Sequence, residues 1–251
     1  MNAESIELAI LAQSALGAYT QTRLLWPKHL ALPKPGEHLQ LHNGECLYPM
    51  FSPCEGQLEV LSQRAPSSLN RAALTGIGLT QNRFFLPLPL AGEGRGEGTS
   101  LAQINDLSTY SPSPQPSPQR GEGAKSAFLR KSYGTSIQPA LDEPIVILAH
   151  GIELATLIYI CSQRRNSAAN TLALYQLDDP APFRPRPSRF LLPDMPHGVI
   201  AAIPLLEDWG IPSRLCSTET RAGCFEGSLD ELLKTLNPKS KHTVIHLNSL
   251  V

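Results

Sequence analysis

The chain has 251 residues and a formal net charge of −1, from 21 Lys and Arg against 22 Asp and Glu. That balance gives no electrostatic case for nucleic acid or an anionic membrane, and no apolar run reaches the roughly 20 residues a bilayer requires. The five cysteines, Cys46, Cys54, Cys161, Cys216 and Cys224, are scattered without a C-x-x-C, which indicates neither a disulfide framework nor a zinc ribbon, and no metal site is expected.

Met1-Asn-Ala-Glu-Ser-Ile-Glu has no basic residues ahead of its apolar ones, so a cytoplasmic protein is expected. Residues 1 to 26 carry an apolar stretch, helical or extended, that breaks at Pro27, Pro33 and Pro35. Gly36 to His42, Leu47 to Phe51 and Gly56 to Ser62 then alternate apolar with polar residues at period two between Gly, Pro and Asn breaks, the pattern of a small antiparallel sheet or barrel. Ser67 to Leu74 reads as a short helix leading to Gly76-Ile-Gly78. These features define a small β-domain over 1–86.

Residues 87–133 differ in kind. Gly-Glu-Gly repeats stand at one end and Pro-Ser-Pro-Gln-Pro-Ser-Pro at the other, a composition that removes side chains and donors and points to a disordered insertion. The two ends can encode one another on opposite DNA strands, as the arms of an inverted repeat would; a natural Pro/Gly linker is the alternative.

The α/β pattern occupies 134–251. Pro144 opens a β-branched run, Ile145-Val-Ile-Leu148, that suits a strand covered on both faces. His150-Gly151 supplies a turn, and Leu154, Leu157, Ile158 and Cys161 then recur at helical spacing up to Arg164-Arg165. Such a strand, turn and helix offers free N–H groups to a phosphate at the helix N-terminus, or is an ordinary structural unit. His150 reads as a turn histidine in preference to an acid or base, and Asp178-Asp179 as a solvated pair in preference to a metal site. Asn170 to Tyr175 is a second strand, Ala201 to Trp209 a helix, and Pro212 to Ser217 a strand. Ser228 to Leu236 is an amphipathic helix capped by Ser228 with Glu231 three residues on, and His242 to Leu247 a last strand. Arg184, Arg186 and Arg189 form either a phosphate or partner patch or a solvated stretch.

Taken together, a β-domain followed by a βα domain resembles the ferredoxin-reductase-like flavoproteins, in particular the electron-transfer subunit of dihydroorotate dehydrogenase and its proteobacterial relatives. Gly36-Glu-His-Leu-Gln-Leu is similar to the family's G-x-x-L/V-x-L strand. Leu47-Tyr-Pro-Met-Phe-Ser52 stands where the family has R-R-P-x-S-I, and Gly76-Ile-Gly78 resembles its G-P-L/I-G turn. Leu148 to Thr156 stands where the family has its glycine-rich nucleotide turn. The resemblance implies a two-domain α+β fold, an antiparallel barrel followed by a parallel α/β nucleotide-binding-like domain. It also implies FAD and NAD(P)H, each at a weakened site, no iron–sulfur cluster, and a partner dehydrogenase subunit. Pro49, Ser52, Gly76, Gly78, Gly151 and Ile152 are the cofactor-binding positions it implies, with no catalytic residue assigned.

The departures are specific. Tyr48 replaces an arginine that would neutralise phosphate, and Ala149 and Glu153 replace glycines of the nucleotide turn. The four-cysteine cluster is absent, and the family's C-G-P motif would fall where the chain ends, which the resemblance reads as a C-terminal truncation. Three readings follow: a flavin-dependent reductase or electron-transfer subunit, a decayed member, and a non-catalytic binding or assembly protein.

Overall fold

In the computed structural model the described residues are 6–63, 126–177, 179–236 and 242–247. Gly76, Gly78, the helix expected over 67–74 and most of the Pro/Gly-rich segment lie outside them. The first domain is a closed antiparallel barrel of β1 (Ile6–Leu16), β2 (Tyr19–Leu25), β3 (His38–Leu41), β4 (Cys46–Phe51), β5 (Gln57–Gln63) and β6 (Ser126–Tyr133), in the order β1-β2-β5-β4-β3-β6. The period-two segments supply it, because alternate residues fall on opposite faces of a strand. Leu8, Leu24, Leu39, Leu47, Leu58 and Val60 point inward and are buried, each stabilising the fold by about 1.5–3 kcal/mol.

The strand that closes the barrel corrects the domain boundaries expected above. Ser126–Tyr133 lies within the 87–133 insertion as drawn from composition, yet it pairs with β1 (Ile6 opposite Leu129) and with β3 (His38 opposite Tyr133). Without it β1 and β3 would both expose unpaired edges. The β-domain therefore takes its last strand from beyond the low-complexity run.

The second domain is a five-stranded sheet, parallel throughout, of β7 (Ile145–His150), β8 (Thr171–Gln176), β11 (Ser213–Ser217), β12 (Phe225–Glu226) and β13 (Thr243–His246), in the order β12-β11-β8-β7-β13. A separate two-residue pairing joins β9 (Arg186–Pro187) to β10 (Ala201–Ala202). Helix α1 (Leu154–Gln163) and helix α2 (Pro204–Asp208) pack with Ile145, Ile147 and Ala149 on one face; α3 (Leu229–Leu236) packs with Val146 and Leu148 on the other. Burial on both faces is why β7 reads as an unbroken apolar run rather than an alternating one.

The helix expected over 201–209 is shorter than its pattern. Ala201–Ala202 are extended, Ile203 has φ −76° and ψ 117°, and the helix begins at Pro204, whose fixed φ and missing N–H suit a first helical position. By contrast α3 starts where its cap predicts: Ser228 Oγ accepts the Glu231 N–H at 3.3 Å, and Glu231 accepts the Ser228 N–H at 2.8 Å.

The two domains share one core. Leu16, Tyr19, Met50, Phe51 and Leu61 of the barrel belong to the same buried cluster as Ile152, Leu157, Phe183 and Leu206. The β1–β2 turn is pressed against the loop after β8: a Cβ on Gly17, at φ +59°, would stand 2.6 Å from the Pro180 carbonyl oxygen and 2.8 Å from that of Ala181. Only glycine meets both conditions there.

Candidate functional site

β7 is the strand at which the sheet order reverses. From β7 the chain steps to β8 and β11 on one side, and β13 joins on the other. In open parallel sheets the crevice outside the carboxyl ends at such a point is where ligands bind, and here it is formed by the β7–α1 turn. His150 is its exposed residue, Gly151 turns the chain at φ +57°, and Ile152 and Glu153 are buried. The hydroxyl of Tyr175 on β8 donates to the Gly151 carbonyl at 3.0 Å and fixes the turn against the sheet. β5 of the barrel runs against the same turn.

The Glu153 carboxylate folds back over the start of the helix. It accepts the backbone N–H of His150 at 3.0 Å and lies 3.8 Å from His150 Nε2. With 5 % of its surface exposed, it is one of the few buried carboxylates among the described residues. A pyrophosphate bound at a strand–turn–helix uses such N–H groups and the positive end of the helix dipole. Here the acidic side chain already takes one of these N–H groups, and a second anion would meet like charge at short range. The turn does not fit a pyridine dinucleotide.

The barrel side of the crevice is β4. Pro49 is buried within the strand, and α1 lies along it. The Ser52 hydroxyl is directed at the Cys54 and Gln57 carbonyls, 2.9 and 2.8 Å away, and so staples the β4–β5 turn; it keeps lone pairs to accept from a ligand. Tyr48 faces away from the barrel interior, packs at the edge of the interdomain core, and stacks on His38 with ring centroids 5.8 Å apart. His38 stacks in turn on Tyr133 at 5.7 Å. Burial, and then the neighbouring Cys46, push the Tyr48 hydroxyl above its ordinary pKa of 10.0, so it stays a neutral phenol.

Sequence reasoning missed this strip of three planar rings across β4, β3 and β6. A two-residue Asn43-Gly44 turn would set His38 opposite Pro49; the observed register, with Leu39 opposite Leu47 and Gln40 opposite Cys46, instead sets His38 opposite Tyr48. The strip sets three aromatic rings side by side on the outside of the barrel. It provides no fixed cation for the flavin's phosphates, as Tyr48 is a phenol where the resemblance calls for a guanidinium.

Pro49 lies on β4, along which α1 packs, and Ile152 belongs to the core cluster shared by the two domains, while Ser52 and Gly151 are each bonded locally, to the β4–β5 turn and to Tyr175. Two arginines of the 184–189 segment are engaged within the domain: Arg186 meets Asp208 at 3.3 Å, and Arg189 meets Glu207, whose buried carboxylate also accepts the Ser188 hydroxyl at 2.7 Å; Arg184 is exposed. Asp179 pairs with Arg221 at 3.2 Å, and Arg221 reaches Glu219 at 3.1 Å. No group of metal-ligating side chains occurs among the described residues.

No protein-family model and no curated protein matches the chain. Solved structures do. A ferredoxin reductase of carbazole 1,9a-dioxygenase superimposes with a TM-score of 0.54 at 12 % identity, over 97 % of this chain and 60 % of its own. A ferredoxin NADP+ reductase from Neisseria gonorrhoeae, with bound FAD and NADP, gives 0.50 at 12 % identity over 98 % and 85 %. Flavohemoglobin from Malassezia yamatoensis, with bound FAD and heme, gives 0.50 at 9 % over 96 % and 52 %, so the chain spans about half of that protein. At these identities the likeness is one of fold: a closed barrel followed by a parallel α/β domain, the architecture of the ferredoxin-reductase-type flavoproteins.

Proposed function

We propose that the chain is a flavin-dependent electron-transfer protein of the ferredoxin-reductase type, acting with a partner dehydrogenase subunit as the dihydroorotate dehydrogenase electron-transfer subunit does. The observation that carries this reading is the ring strip of Tyr48, His38 and Tyr133 on the barrel beside the interdomain seam. Pro49 and Ser52 would stand on the ring side of a bound FAD, with Ser52 as an acceptor. A bound flavin would take up electrons in pairs and release them singly or in pairs to the partner. A cytoplasmic location accords with five cysteines that are all free thiols. No helix among the described residues is long and apolar enough to cross a membrane.

A second reading, a binding or assembly protein that keeps the fold without the cofactors, is favoured by the internal engagement of Ser52 and Glu153. Visible absorbance of the purified chain, before and after incubation with FAD and removal of free flavin, separates the two. A retained flavin band supports the electron-transfer reading. A chain that stays colourless after incubation overturns it.

A further inference from the structure

We infer that this chain does not hold a pyridine dinucleotide at the β7–α1 turn, because Glu153 is itself the anion resident there. The inference rests on the electron-transfer reading only for its choice of ligand; the geometry is independent of it. It adds that electrons reach the protein by a route other than NAD(P)H bound at this turn.

Three observations converge. The first is the position of the Glu153 carboxylate, buried at the N-terminal end of α1 and accepting the His150 N–H at 3.0 Å. A carboxylate there satisfies one of the free donors of the helix start and is stabilised by its dipole, attractions of the kind a pyrophosphate would exploit. The second is steric. Pyrophosphate turns use several glycines so that backbone can approach the phosphates, whereas here Gly151 is flanked by Ala149, 1 % exposed, and by Glu153. The third is that the turn is held on both sides. Tyr175 pins the Gly151 carbonyl from within the sheet, and β5 of the barrel lies against the turn, so the backbone that carries the carboxylate is fixed in place.

The test uses the full chain and two variants, Glu153→Gln and Glu153→Gly. Glutamine keeps an oxygen to accept the His150 N–H while removing the charge; glycine removes both. Isothermal titration with NADH, NADPH and inorganic pyrophosphate is run on each, with circular dichroism to confirm the fold. The native chain is expected to show no saturable binding of any of the three, and at least one folded variant is expected to gain about tenfold or more in affinity. Micromolar binding of either nucleotide by the native chain overturns the inference, as does the absence of a gain in both variants. Loss of fold in Glu153→Gly leaves Glu153→Gln to decide, since it retains the capping oxygen. Flavin absorbance recorded on the same samples keeps the two proposals apart: a colourless chain sinks the electron-transfer reading, while nucleotide binding by the native chain sinks this one.

Discussion

The hydroxyl of Tyr159, on helix α1, donates to the carbonyl of Pro33 in the barrel's β2–β3 connection at 2.6 Å. This buried bond crosses between the two domains. Nearby, Phe51 of β4 meets Trp209 edge-to-face at 5.6 Å between centroids, and the Arg165 guanidinium covers the Trp209 ring at 3.9 Å. Barrel and sheet are thus joined by directional contacts as well as by the shared apolar core.

Tyr159→Phe leaves the Pro33 carbonyl without its donor at the cost of about 1–3 kcal/mol. Because the two domains share one core cluster, the loss is expected to shift a single cooperative unfolding transition instead of splitting it. Urea unfolding followed by far-ultraviolet circular dichroism and by tryptophan fluorescence checks this. Two transitions that separate in the variant would show that the domains are not energetically coupled.

Arg164 is the second anchor. It is 1 % exposed, yet its partners are neutral: the Thr171 hydroxyl at 2.9 Å, the Glu143 carbonyl at 2.6 Å, and the Ala140 carbonyl. The planar fork ties the segment ahead of β7 to the start of β8, a geometry a lysine's single ammonium cannot reproduce. Arg164→Met is expected to strand these acceptors and cost about 3 kcal/mol or more, and Arg164→Lys to recover little of it. Denaturant midpoints of the three proteins give the comparison.

What the sequence made legible follows from how local each signal is. The β7 run, the Gly151 turn, the helical spacing of α1 and the capping box at Ser228 are each set within a few residues, and each is found. β6 was hidden because its partners are β1 and β3, over 80 residues away, and because it abuts the Pro/Gly run. The helix over 201–209 was overextended because apolar spacing continues through Ile203 while Pro204 makes a start there. At the site, the anionic role of Glu153 was readable from its place in the first helical turn. The engagement of Ser52 was not, since a hydroxyl's partner depends on the path of the hairpin that brings Gln57 back beside it.

The cap of α3 gives a pH dependence. The Ser228 N–H first, and then the Ser228 hydroxyl, hold the Glu231 carboxyl below its ordinary value of 4.5. A carboxyl whose pKa is lower in the folded state stabilises above its unfolded value, and that contribution fades as pH falls from there through the folded value. Helix α3 should therefore lose stability in acid below about pH 4.5. Glu231→Gln is expected to flatten that part of the profile, as measured by thermal unfolding across the acid range. An unchanged slope would show that other carboxylates account for it.

The thiols give the opposite sign. Burial pushes Cys161 up to about 12, only partly countered by Arg164, and the side chain is 0 % exposed. A thiol raised above its ordinary value of 9.0 favours the folded state below that value, and the advantage is lost as pH climbs from about 9 towards 12. Cys54 is exposed in the β4–β5 turn. Iodoacetamide at mildly alkaline pH should label Cys54 in the native chain and reach Cys161 and Cys216 only on unfolding. Mass spectrometry of digested samples locates the label; early alkylation of Cys161 would contradict the burial of α1.

Tyr48→Arg addresses the flavin directly. The side chain lies on the β4 face at the rim of the shared core, where a guanidinium could extend towards solvent and meet a phosphate. One charge-assisted contact contributes about 1.5–3 kcal/mol, or roughly tenfold to a hundredfold in affinity. The substitution also removes the ring that stacks on His38, a contact worth about 0.5–1.5 kcal/mol to the fold, so a thermal melt of the variant accompanies the titration. Quenching of flavin fluorescence on titration with each protein is expected to show weak binding by the native chain and tighter binding by the variant. If the native chain binds more tightly than Tyr48→Arg, the contribution of the Tyr48 ring to the flavin site outweighs that of the missing cation.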